Sequence, residues 1–204
     1  YSDLVFYTGW GLISPIFAIF ILQSITGGNA FVVGLASAIN LIIRSVVRIP
    51  FGMSADKDKT QKRAYKYMTL GLFIAALVPF GFILARTPLH IYILQAILGV
   101  SLAMSSSGWT CIYAKHMDKG KESTEWGLDA VAVGIGPGIA GALGGAAVTL
   151  FSFNYVFLAV GILGLAGVII LLSVKKDIFK AKNLATESVL FSQREVRRLK
   201  KARI

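Results

Sequence analysis

Six apolar stretches, separated by short polar breaks, run along the chain at roughly 5–23, 30–54, 66–85, 89–113, 125–149 and 153–174. At a helical rise of about 1.5 Å per residue, each is long enough to cross a hydrocarbon core about 30 Å thick. A helix satisfies its backbone hydrogen bonds within one segment, which lipid demands. The pattern predicts an all-α integral membrane protein, with six transmembrane helices in residues 1–174 and a tail at 175–204.

The breaks alternate in charge. Gln23–Asn29 has none, and Asp56–Lys66 carries Lys57, Lys59, Lys62, Arg63 and Lys66. Arg86–His90 has one Arg, the next break holds Lys115, Lys119 and Lys121, Phe151–Tyr155 has none, and the tail is rich in Lys and Arg. Cytoplasmic loops carry the basic excess, so both termini are expected in the cytoplasm, with the protein in the cell (inner) membrane. The first run lacks a basic flank and a small-residue cleavage site, and is read as a true span.

Composition changes the picture little: 55% hydrophobic and 15% charged residues and a mean hydropathy of +0.70 describe a chain whose partner is the lipid bilayer. The net charge of +11 sits mostly in the two basic loops and the tail. It reports topology, and no nucleic-acid partner is expected. The single cysteine, Cys111, lies in an apolar run and reads as packing. His90 and His116 have no ligand partners at metal spacing, so neither metal nor cofactor is expected. No nucleophile stands with a base and no phosphate-cradling loop is present, which argues against an enzyme.

Several polar residues lie inside lipid-length runs. Asn40, Arg44 and Arg48 recur at steps of four, on one face of the second helix. A central Arg costs about 2.5–3.5 kcal/mol on insertion scales, so this face is expected toward protein or water. Asp129 is the only acid within a span and away from its entrance. Its depth matches that of Arg48, which predicts an ion pair with Arg48 or Arg44. Gln95, Ser106 and Trp109 share a face of the fourth run, flanked by Ser105 and Ser107. Tyr7, Trp10, Ser14 and Phe17 share one in the first, which Gly9, Gly11 and Pro15 interrupt. In the fifth run Gly134, Gly138, Gly141 and Gly145 line one face around Pro137, a groove for another helix. The tail, with Leu184, Val189, Leu190, Val196 and Leu199 at partly helical spacing, suits a helix on the anionic inner leaflet.

Two stretches carry a resemblance. Gly52, Asp56 and Lys57 are similar to the signature loop between the second and third helices of the major facilitator superfamily: a Gly, three residues, an Asp, then a basic residue. Residues 134–145, Gly-Pro-Gly-rich, resemble that superfamily's fifth-helix signature. The family's second hinge Gly would fall at Lys59 and its basic pair at Thr60-Gln61. Where its fourth-helix pattern has Arg, this chain has Gln95, which weakens the case for proton-coupled drug antiport.

The resemblance implies one six-helix half built as a three-plus-three inverted repeat, with the first and fourth helices lining a central cavity. The function implied is secondary active transport of a small-molecule substrate by alternating access, as a parallel homodimer of such halves. The implied cavity residues are Tyr7, Trp10, Ser14, Asn40, Arg44, Gln95, Ser106 and Trp109. Gly52, Asp56, Lys57, Arg48 and Asp129 would gate it, and the Gly134–Gly145 face with Pro137 would pack helices. One half of a longer twelve-helix transporter, or a non-transporting membrane scaffold with a transporter-derived fold, remain alternatives.

Overall fold

The computed structural model describes residues 10–13, 15–173 and 175, the side chain of Ala132 excepted. Residues 10–13 are helical, a turn follows at 15–16, and α1 runs Phe17–Ser24. The break falls at Pro15, whose ring nitrogen has no hydrogen to donate. Five long helices follow: α2 (Ala30–Asp56), α3 (Lys62–Leu84), α4 (Pro88–His116), α5 (Glu122–Leu150) and α6 (Phe153–Ser173). All five are long and apolar enough to span a membrane. Two compact units divide the chain, Tyr1–Val168 and Ile169–Ile204. Of the second, residues 169–173 and 175 are described, and they are helical. Tyr7, Ser14 and the tail beyond Lys175 lie outside the described residues.

Local chemistry sets the boundaries. Asn29 is extended and its Oδ1 accepts the Val32 N–H at 3.0 Å, capping α2. Pro88 opens α4, where a missing N–H costs nothing. The helices α2, α4 and α5 run past the apolar segments into Ala55–Asp56, Ala114–His116 and Glu122–Thr124. Backbone hydrogen bonding does not stop where hydropathy falls, so the apolar runs understate helix length.

Close backbone contacts hold the spans together. A Cβ on Gly71 would stand 2.5 Å from the Ser101 carbonyl oxygen, and one on Gly108 would collide with that of Ala64, so α3 and α4 meet main chain to main chain. Gly99 brings α4 nearly as close to α2 at the Asn40 carbonyl, where a Cβ would be 2.9 Å away. The same crossing recurs in the first span: a Cβ on Gly11 would stand 2.5 Å from Pro137 Cα of α5, and one on Gly144 would collide with Leu12. Phe20 packs edge-on against Phe157 of α6 at 4.7 Å, and Phe17 lies 5.6 Å from Phe82 of α3.

Thus the first span meets α5 and α6 as α4 meets α2 and α3. That correspondence is the three-plus-three inverted repeat. Burial follows it too. In the most apolar windows of α3, α4 and α6 44% of residues are buried, against 11% for α2 and 12% for α5.

Candidate functional site

The polar face of α2 is stitched to α4. Asn40 Nδ2 donates to the Gln95 carbonyl oxygen at 3.2 Å, and two turns later Arg48 Nη2 donates to Thr110 Oγ1 at 3.3 Å. Ser107 Oγ returns a bond to the Arg48 carbonyl at 3.1 Å. Thr110 Oγ1 and Ser106 Oγ also donate within α4, to the carbonyls of Ser106 (2.8 Å) and Ala103 (3.2 Å). Gln95 is buried, and Ser106 is half-buried beside this seam. Between the two bonded residues sits Arg44, half-buried, with no hydrogen bond or ion pair to a described residue.

The expected pairing of Asp129 with Arg48 or Arg44 is not found. Exposed Lys121 pairs instead with Asp118 of its own loop, at 4.0 Å. The reason is azimuth rather than depth. Arg48 approaches α4 at Ser107 and Thr110, whereas α5 meets α4 at Trp109 and Tyr113, so the two groups flank different sides of α4.

On the α5 side, Trp109 and Tyr113 stack at 4.6 Å and 16°, and Trp126 stands edge-on to them at 5.8 and 5.2 Å. Tyr113 Oη donates to the Glu125 carbonyl oxygen at 2.7 Å. Half-buried Asp129 lies one turn beyond Trp126, within electrostatic reach of Tyr113. Sequence reasoning missed Tyr113, Thr110 and Trp126. The four-residue step from Trp109 to Tyr113 and the three-residue step from Trp126 to Asp129 were the available signals. Trp10 is half-buried beside Gly11, at the crossing with Pro137. Its neighbour in the expected face, Phe17, turns to α3 instead.

In the loop between α2 and α3 the side-chain hydrogen bonds centre on Asp58, Thr60 and Arg63. A Cβ on Gly52 would meet nothing within 4 Å, and Asp56 and Lys57 are exposed at the end of α2. The working carboxylate is Asp58. Its Oδ1 accepts from Thr60 N (2.8 Å) and Thr60 Oγ1 (2.6 Å), and its Oδ2 from Arg63 N (2.7 Å). The Thr60 hydroxyl first, then the Arg63 and Thr60 amides, pull its pKa down to about 2. Arg63 Nη1 reaches back to the Ser54 carbonyl and Oγ, both at 3.2 Å, and Ser54 Oγ meets Tyr67 Oη at 3.0 Å.

The left-handed residue is Gln61, with φ 62°, and it is 5% exposed. Its Oε1 is buried and has no partner among the described residues. The left-handed turn thus falls two residues beyond Lys59, the position at which the resemblance places the family's second hinge Gly.

The glycine face of α5 divides. A Cβ on Gly141 would stand 3.5 Å from the Gly11 carbonyl oxygen, and Pro137 meets Gly11, so these pack within the protomer; Gly134, Gly138 and Gly145 face open space. A cavity of about 230 Å³, lined by Gly81, Leu84, Ala85, His90, Ile93 and Leu94, lies at the other end of α3 and α4. Among the described residues no three His, Cys, Asp or Glu side chains converge to hold a metal.

Long apolar helices, an inverted repeat and a polar seam between α2 and α4 define a multi-pass membrane protein of transporter type. A family model described as Major Facilitator Superfamily matches residues 3–203, and the chain belongs to that superfamily. A search of curated proteins finds no match.

Proposed function

We propose that the protein is a secondary transporter of a small solute, working by alternating access as a parallel homodimer of six-helix halves. The observation that carries the transport reading is the polar seam of Asn40, Arg44 and Arg48 against Gln95, Ser106 and Thr110, at membrane depth. Polar groups are costly there unless they line a pathway or pair. The basic loops before α3 and after α4 lie at one end of these helices, which supports a cytoplasmic placement for both and for the termini.

The bare helices α2 and α5 support the dimer. Each leaves a long apolar face uncovered, with Leu41, Ile42, Val46, Ile49 and Met53 exposed on α2 and Ile135, Ile139 and Leu143 on α5. The open Gly134, Gly138 and Gly145 let a partner's backbone come close. A two-fold arrangement sets α2 of one protomer along α5 of its partner. Exposed Asp56 then faces the positive N-terminal end of the partner's α5 and latches one conformation.

Counterflow in proteoliposomes against sugars, amino acids, organic ions and lipophilic cations tests the first claim, and no saturable exchange with any of them would refute it. For the dimer, Ala55→Cys with Trp126→Cys in a Cys111→Ala background should crosslink between chains. Crosslinks confined to single chains, or a monomer in every mild detergent and lipid, would sink the arrangement.

A further inference from the structure

We infer that the cavity between the last turn of α3 and the first turns of α4 holds an acyl chain of an anionic phospholipid, with His90 and Arg86 taking its phosphate. The site stands apart from the transport reading. Its wall is apolar from Gly81 and Leu84 on α3 to Ile93 and Leu94 on α4, and His90, toward the loop, is the one polar side chain lining it. From His90 to Leu94 is about 6 Å of helix, so the polar group lies at the water-facing end and the hydrocarbon wall deeper. A phospholipid has the same gradient. At about 230 Å³ the cavity is half as large again as an apolar cavity of about 150 Å³ that stays dry and takes up benzene, which gives room for roughly eight or nine chain carbons. Leu84 is 76% exposed and Ile93 49%, so the mouth opens on the surface of the bundle, outside the α2 and α5 faces assigned to the dimer. In a bilayer, the material against such a surface is acyl chain.

The polar end is set by the imidazole. His90 Nδ1 accepts the Arg86 backbone N–H at 3.3 Å and lies 3.1 Å from Thr87 Oγ1. A backbone N–H can only donate, so the ring hydrogen is on Nε2, a donor that no described residue takes up. Arg86, whose amide holds the ring, has an exposed side chain that makes no ion pair with a described residue. Thr26 N donates to the Arg86 carbonyl at 3.0 Å, which brings the Gln23–Asn29 break to this end. Neither that break nor Phe151–Tyr155 nor Ala85–His90 contains an acid, so no carboxylate at this end competes for the two donors. Guanidinium and phosphate make charge-assisted hydrogen bonds, and the uncompensated charge of Arg86 favours an anionic headgroup over a zwitterionic one.

Photolabelling in proteoliposomes tests this. The full chain is reconstituted in phosphatidylcholine with a trace of phosphatidylglycerol bearing a diazirine on its acyl chain, or with the same diazirine on phosphatidylcholine or on palmitic acid, and the labelled residues are mapped by mass spectrometry. Phosphatidylglycerol should label residues 81–94 saturably and about fivefold more than phosphatidylcholine does, the worth of one basic residue beside an anionic headgroup. Arg86→Gln should erase that preference. His90→Asn keeps an acceptor for the Arg86 amide but loses the Nε2 donor, and should cut the labelling about threefold. Ile93→Trp and Leu84→Trp, both at exposed lining positions, place an indole in the mouth and should remove the saturable labelling with the melting temperature unchanged. Lys119→Gln, in an exposed loop at the other end, should alter nothing.

Labelling of residues 81–94 that does not saturate, or that is no stronger than labelling of the exposed α2 face at Leu41, Ile42 and Val46, is that of ordinary boundary lipid and overturns the site. Equal labelling by phosphatidylcholine overturns it too, as does labelling by palmitic acid alone. So does saturable labelling that survives either tryptophan, or a phosphatidylglycerol preference untouched by Arg86→Gln.

Discussion

Adding one methyl group at Gly108 tests the tightest seam of the bundle. A Cβ there would collide with the Ala64 carbonyl oxygen and stand 2.7 Å from Met68 N and 3.1 Å from Met68 Cβ. Ordinary carbon contacts need about 3.5 Å, so α3 must back away from α4 by most of an ångström. The obstacle is main chain, which has no rotamer to change. Overpacking of this kind costs about 1–3 kcal/mol, and the better helix propensity of Ala returns about 1 kcal/mol.

A net loss of about 1 kcal/mol lowers the melting temperature of a chain this size by about 2–4 °C. Cys111, the single cysteine, is buried, so a thiol-reactive dye in detergent reports unfolding directly. Gly138→Ala is the control: its added methyl meets nothing within 4 Å, so it should melt at the parent's temperature or a few degrees above. Gly108→Ala melting as high as Gly138→Ala would refute main-chain contact between α3 and α4.

Three further outcomes are expected. At Gln61, Val should melt well below Gly, by about 2 kcal/mol, because a β-branched residue is a true outlier at φ 62° whereas Gly is not; the reverse order would contradict the left-handed turn. Asp58, with its folded pKa depressed to about 2, adds stability that is complete above its unfolded value of 3.8 and lost as pH falls toward 2. Amide exchange at Thr60 and Arg63, corrected for intrinsic rate, should stay slow from pH 7 to about 4 and quicken below. Asp58→Asn should quicken it at every pH and Asp56→Asn at none; equal effects would restore Asp56 to the hinge. Finally, Gly138→Leu should abolish the interchain crosslink while leaving the monomer's melting within about 1 kcal/mol of the parent, and an undiminished crosslink would place the dimer contact elsewhere.

The spans were legible because bilayer thickness sets a length that six apolar runs meet, and the family because Gly-Pro-Gly at 136–138 and a Gly/Asp/Lys loop survive as residue types. Depth was legible as well: counting from a helix end places Arg48 and Asp129 at similar levels. Direction around the axis was not. Arg48 meets Thr110 because α2 leans on α4 through Gly99, a contact between helices more than forty residues apart in the chain. In the hinge two acids stand two residues apart, and spacing alone does not show that Asp58 is the one bonded within the loop, nor that Gln61 takes the left-handed turn. Of the glycine face, equal spacing hid an unequal use, with Gly141 packed inward and Gly134, Gly138 and Gly145 open.

The seams of the bundle differ in stiffness. Where glycine meets main chain, at Gly108 on Ala64, Gly71 on Ser101 and Gly11 on Pro137, neither side has a torsion to spare, so α3 with α4, and the first span with α5, behave as two rigid girders. Where glycine meets a side chain, at Gly161 on the Phe80 ring and Gly81 on the Leu94 tip, the far atoms can swing aside. One turn from the ring contact, Gly164 meets Ala76 Cβ and Cα, which cannot swing aside, so compliance is confined to the Phe80 ring end of the α6–α3 seam and to the Gly81–Leu94 end of the α3–α4 girder. A change of shape in this half loads those hinges first, and leaves the girders' internal registers as they are.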